Sequence, residues 1–115
     1  MANNFKNAFA TSVSTNSSSP TTVYTAAASG SAVNSILIEL DVANTGSSAV
    51  QVTVKIRDSS ASASFHIVKN APIPAGGALK VVSGQKVVLN GNDQVRVYAS
   101  ASTVDVVCSI LEDVA

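Results

Sequence analysis

The chain has 115 residues, enough for one domain and one hydrophobic core, and its 7 basic and 7 acidic side chains cancel. That balance leaves no surplus of Lys and Arg to displace counterions from a phosphate backbone, which argues against nucleic acid as a partner. Hydrophobic residues make up 46% of the chain but aromatics only 4%, so its apolarity rests on Val, Ile, Leu and Ala, a composition that favours strands over helices.

Residues 1 to 19 are rich in Asn, Ser, Thr and Ala and end in Thr15-Asn16-Ser17-Ser18-Ser19-Pro20. With so little to bury, this segment is expected to be an extended N-terminal arm, leaving residues 20–115 as the folded domain. It opens without the apolar core of a signal peptide, and no run reaches the ~18 apolar residues that would span a bilayer, so neither a leader nor a membrane partner is expected. Without a leader, Asn16-Ser17-Ser18 is a chance match to a glycosylation acceptor. Phe5 and Phe9 stand out: two of the three phenylalanines lie four residues apart in this polar arm. Two readings stand side by side. Either the rings fold back onto their own domain, or they anchor the arm on a neighbouring subunit together with Tyr24, just beyond it.

Beyond Pro20 the pattern is that of strands and turns. Thr21 to Thr25 is a short β-prone run closed by Ala26 to Gly30. In Val33 to Val42 the alternation predicts Ile36, Ile38, Leu40 and Val42 on one face. Asn44-Thr45-Gly46-Ser47-Ser48 is a turn cluster of hairpin length, and Val50 to Arg57 then alternates without a fault. Phe65 to Val68 begins another strand. Asn70 to Gly77 reads as an irregular crossing, because two prolines remove ladder donors and two glycines permit positive φ. Leu79 to Val82 and Lys86 to Leu89 flank a Ser83-Gly84-Gln85 turn. Asn90-Gly91-Asn92-Asp93 has the chemistry of a tight hairpin. Val95 to Ala99 alternates again, and Thr103 to Glu112 is the last strand, with Val104, Val106, Cys108 and Ile110 on one face. Val107 and Leu111 make its other face partly apolar, which points to a central or interface position. Short strands at roughly ten-residue spacing imply an all-β fold, a single β-sandwich with jelly-roll or immunoglobulin-like wiring.

No constellation for catalysis is legible. His66 is the single histidine, and Ser64 and Lys69 beside it make no triad. Cys108 is the single cysteine, expected as a small buried hydrophobe, and the two are too far apart in sequence to start a zinc site. Asp93 and Asp105 read as solvated strand-end charges. Asn90 to Asp93 lacks the remaining carboxylates of a calcium loop, and Gly76-Gly77 opens no helix that could cradle phosphate. The expectation is therefore no enzyme activity, no cofactor and no metal. Lectin-like sugar binding would need exposed aromatic platforms, for which Tyr98 is the one candidate. Recognition by surface, strand edge and arm remains.

Several segments, taken in order, resemble a group of small virion structural proteins of tailed bacteriophages, common among phages of marine bacteria and cyanobacteria. They are Asn4 to Ala10, Pro20 to Tyr24, Val68 to Gly77, Gln85 to Leu89, Asn92 to Val97 and Val104 to Glu112. Related sequences usually carry Gly-Asp where this one has Asn92-Asp93, a change that keeps the turn. The resemblance implies an assembly protein without catalytic residues, located in the virion and assembled in the host cytoplasm. The leading expectation is a capsid decoration or cement protein that binds the major capsid protein or other virion proteins, in an assembly where it is itself a homo-oligomer. The alternatives are a neck, tail or fibre-attachment component and, in a different class, a host-glycan-binding module.

Overall fold

The structure is a computed structural model that describes residues 4–26 and 34–112. Within them eight strands form two antiparallel four-stranded sheets. The strands are β1 (Asn4–Ala10), β2 (Thr21–Thr25), β3 (Ser35–Asn44), β4 (Val50–Asp58), β5 (Ala63–Ile73), β6 (Ala78–Leu89), β7 (Gln94–Ala99) and β8 (Val104–Glu112). One sheet has the order β1-β8-β3-β6 and the other β2-β7-β4-β5. The pairs β1·β8, β2·β7, β3·β6 and β4·β5 are those of one long antiparallel ribbon folded at the β4–β5 turn. Rolling that ribbon closes the remaining seams, β3·β8 and β4·β7. This wiring is a jelly roll rather than an immunoglobulin sandwich.

The core between the sheets is aliphatic. From the first sheet it takes Leu37, Leu40, Val42, Val82, Leu89, Val104, Val106, Cys108 and Ile110. The second contributes Val50, Val52, Val54, Ile56, Ile73, Val95, Val97 and Ala99. β4 follows the period-two reading in placing Val50, Val52, Val54 and Ile56 inside, and Thr53 is buried as well. One buried polar side chain ties down each end of the sandwich. At one end Asn44 donates to the carbonyls of Ser48 (2.7 Å), Ile73 and Pro74 (both 3.3 Å), and accepts from the Gly46 amide and the Thr103 hydroxyl (both 3.0 Å). A Cβ at Gly46 would lie 2.9 Å from Thr103 Cγ2, so only glycine lets this loop close. At the other end the Asp93 carboxylate accepts from the Ser59 amide (3.1 Å) and the Asn90 amide (3.0 Å). Saturating buried polar groups this way avoids the cost of stranding them.

Several local expectations are corrected. Residues 4–10 are not an arm but β1, paired with β8 without interruption from Asn4↔Glu112 to Ala10↔Val106, and Val13 is fully buried in the core. An edge strand needs only one half-buried face, and small residues such as Ala8 and Ala10 meet that requirement without an obviously apolar sequence. In β3 the inward residues are Leu37, Leu40 and Val42, while Ile36 and Ile38 are half-buried, because the register shifts between Leu37 and Glu39 and inverts the phase. The Thr45–Ser48 and Asn90–Asp93 turns are not hairpins, since each carries the chain from one sheet to the other. Positive φ in the second falls on Asn92 (70°). Ser83-Gly84-Gln85 is no turn either: β6 runs through it with a bulge, and Lys86 takes φ 61°. Pro72 lies within β5, an edge strand, where a missing ladder donor is tolerated, and the crossing shrinks to residues 74–77. The turn expected over Ala26 to Gly30 lies outside the described residues beyond Ala26, as does Val33.

Candidate interaction surface

The polar residues weighed for chemistry are scattered. His66 is exposed on β5, whereas Cys108 is fully buried in the opposite sheet. Burial, with a smaller contribution from the Asp41 charge, pushes the Cys108 thiol up from 9.0 to about 12, which leaves it protonated and unreactive near neutral pH. Asp93 and Asp105 sit at opposite ends of the sandwich, and Asp93 is a buried hydrogen-bond hub rather than a solvated charge. The Asp105 carboxylate accepts from the Thr11 hydroxyl at 2.6 Å. Among the described residues no three His, Cys, Asp or Glu side chains converge as metal ligands do. Lys55 Nζ lies 5.5 Å from the centre of the Tyr98 ring, a cation–π contact.

What the fold does assemble is two unlike outer faces. On the β1-β8-β3-β6 sheet the register places Phe5 beside Leu111, Leu111 beside Ile36 and Ile36 beside Val88, a continuous apolar row across all four strands. A polar row follows, Asn7–Ser109–Glu39–Ser83, and then Phe9–Val107–Asp41–Lys80. Phe5 is 80% exposed, Phe9 69%, Val88 63% and Val107 52%, so these side chains face solvent and contribute little to the core. Two shallow depressions flank the rings, one between Phe5, Asn7 and Ser109 and the other between Phe9, Thr11 and Val107. Glu39 and Asp41 stand beside each other on this face. Their shared hydrogen bond and like charge raise the Glu39 carboxyl, while Lys80 lies 3.9 Å from Asp41.

The β2-β7-β4-β5 sheet presents the opposite character. Its outward rows are Thr25–Gln94–Arg57–Ser64 and Thr22–Arg96–Lys55–His66. The strands of this sheet carry Lys55, Arg57, Lys69 and Arg96 against Asp58 alone, whereas those of the other carry Lys6, Lys80 and Lys86 against Glu39, Asp41, Asp105 and Glu112. The neutral chain is therefore electrically two-faced.

The three residues expected to anchor a partner do not act together. Phe5 and Phe9 point outward from β1, so the segment folds onto its own domain while the rings remain available to a neighbour. Tyr24 is instead committed internally. Its hydroxyl donates to Glu112 on β8 and lies 3.3 Å from the buried Ser35 hydroxyl on β3, bridging the two sheets. Burial first, then the Glu112 bond, pushes it up from 10.0 to about 12. Ile36 and Val88 were missed as surface residues. The one advance signal was the partly apolar second face of β8, and β8 is in fact both central in its sheet and exposed at Val107.

Comparison with protein families, with curated proteins and with solved structures finds no match for this chain.

Proposed function

We propose that this chain is a non-enzymatic structural protein of a tailed-phage virion, a decoration or cement protein that binds major capsid proteins through the outer face of its β1-β8-β3-β6 sheet. One observation carries this reading. A protein with only three phenylalanines exposes all of them, two on one face where Phe5 lines up with Leu111, Ile36 and Val88 and Phe9 stands beside Val107, while its core is made of aliphatic residues. A free domain gains nothing by exposing its largest apolar groups, and contiguous apolar patches of this kind mark protein interfaces. The resemblance of the segments from Asn4 to Glu112 to phage virion proteins supplies the class of partner. A rigid sandwich held at both ends by buried polar hubs suits a part that must hold its shape on a shell.

The test is to add the purified protein to shells stripped of it and measure bound copies by co-sedimentation. Saturable binding in many copies per shell, with a rise in the temperature at which the shell opens, is the expected result. V88E/V107K places a charge at two exposed positions, next in sequence to Val87 and beside Asp41 respectively, and should lower binding at least tenfold while melting as the native chain does. Equal binding by the variant, or binding confined to the neck or tail, would overturn the capsid reading.

A further inference from the structure

A two-sheet sandwich has four edge strands, here β1, β6, β2 and β5, and an unprotected edge is a template for another strand. Three of the four are blunted. β6 has two register shifts, positive φ at Lys86, and lysines at 80 and 86. β5 contains Pro72, positive φ at Asn70 and two register shifts. β2 is five residues long and bulged between Thr22 and Tyr24. β1 has no proline, bulge or positive φ. It runs seven residues in unbroken register, and its one charge, Lys6, is paired with Glu112 at 3.8 Å. Its other side has no strand partner among the described residues.

The sequence of this edge is also complementary to itself. When β1 meets a second copy antiparallel about a twofold axis through Asn7, Phe5 stands opposite the second copy's Phe9, and Phe9 opposite its Phe5. Both pairs fall on the outer face where the rings are already exposed. The same register sets Lys6 opposite Ala8, so the two lysines avoid each other.

We infer that β1 is a self-pairing edge: two copies join β1 to β1 into one eight-stranded sheet, with two Phe5–Phe9 pairs at its centre. The occupant is a second copy rather than an unrelated strand because the four-residue spacing of the rings about Asn7 is satisfied by the same sequence reversed. A strand pair with four phenyl rings buries on the order of 1,000 Å² in total, the low end for a specific interface, so the association is sought across the micromolar range. The association closes at two copies, because each chain offers one such edge. Self-pairing is measured on the protein alone and so stands apart from the capsid reading, to which it adds a doubled apolar platform that could span two capsid subunits.

Sedimentation equilibrium from low micromolar to hundreds of micromolar protein tests it, with thermal melting to confirm that every variant is folded. The native chain should pass from one-chain to two-chain mass. F5K/F9K, which sets like charges opposite each other, should stay at one chain throughout. F5K/F9E, which sets opposite charges together only in this register, should return to two chains and dissociate as salt is raised. The inference is overturned by a native chain that stays at one-chain mass, by a mass that climbs past two chains, or by F5K/F9E remaining as monomeric as F5K/F9K. A monomeric chain that still coats shells would overturn self-pairing alone, and a dimer that binds no shell would overturn the capsid reading alone.

Discussion

The two outer faces of the sandwich are built on the same backbone plan and differ in almost everything else. Both are four antiparallel strands over one aliphatic core, yet one displays Phe5, Leu111, Ile36 and Val88 in a row and the other Arg96, Lys55 and His66. The basic face finds partners among its own neighbours: Arg96 bonds the Gln94 side chain and Lys55 lies over Tyr98. On the apolar face the Phe5 and Phe9 rings stay mostly exposed beside Leu111 and Val107. Equal numbers of charges in a sequence therefore say nothing about a particular face, and the two sides of this molecule are suited to different surroundings.

The largest effect expected comes from removing residues 1–19. This takes β1 from the first sheet and the fully buried Val13 from the core while leaving the four strands of the second sheet intact. Losing an edge strand together with a core side chain should remove several kcal/mol of the ~5–15 kcal/mol that holds an ordinary domain folded, so the truncated chain should melt at a much lower temperature. A sharp transition near that of the full chain would return the segment to the status of an arm. Next in size is the contrast between faces in shell binding. V88E/V107K should lose at least tenfold in affinity, about 1.4 kcal/mol, and K55E/R96E, which reverses two charges on the basic face, should change it less than about threefold. The reverse order would mean that the wrong side has been assigned to the partner.

The next effect concerns the tie between the faces. Tyr24→Phe removes the hydroxyl that bridges β2 to Glu112 and Ser35 and should cost about 1 kcal/mol in a denaturant titration. The pH dependence carries a separate signature. Tyr24 is raised from 10.0 to about 12 and Cys108 from 9.0 to about 12, so both hold their protons more tightly folded than unfolded. The stability they favour is complete below pH 9 and is lost as pH rises from there towards 12. Cys108→Ala should delay the onset of that loss to about pH 10, where Tyr24 begins to act, and Tyr24→Phe should make the part above pH 10 shallower, leaving the share that Cys108 carries. Stability that stays level from pH 8 to pH 11 in the native chain would contradict both burials.

How far the sequence could be read depended on how local the governing physics was. The all-β sandwich followed from alternation and turn spacing, and in β4 the pattern of Val50, Val52, Val54 and Ile56 is legible residue by residue because each outward neighbour is polar. In β3 the run Ile36-Leu37-Ile38 carries no phase of its own. The bulge that settles it depends on pairing with β6 and β8, which are distant in sequence. Turn chemistry at Asn44–Ser48 and Asn90–Asp93 was correctly placed, but a turn motif does not encode whether the next strand joins the same sheet or the other. The status of residues 4–10 was misjudged because composition measures how much a segment can bury, while an edge strand draws its stability from ladder hydrogen bonds and a few small inward residues. Phe5 and Phe9 were legible as exceptional. The alignment of Phe5 with Leu111, Ile36 and Val88 was not, since that row exists only once four strands have been registered against one another.

Cryo-electron microscopy of the intact particle tests the central assignment most directly, because it gives both the position of the protein and which side faces its partner. The expected map shows many copies over the shell, each with Phe5, Val88 and Val107 turned toward the major capsid protein and Lys55, Arg57 and Arg96 turned to solvent. A particle without this chain, or one in which the basic face makes the contact and the phenylalanines point away, would contradict it.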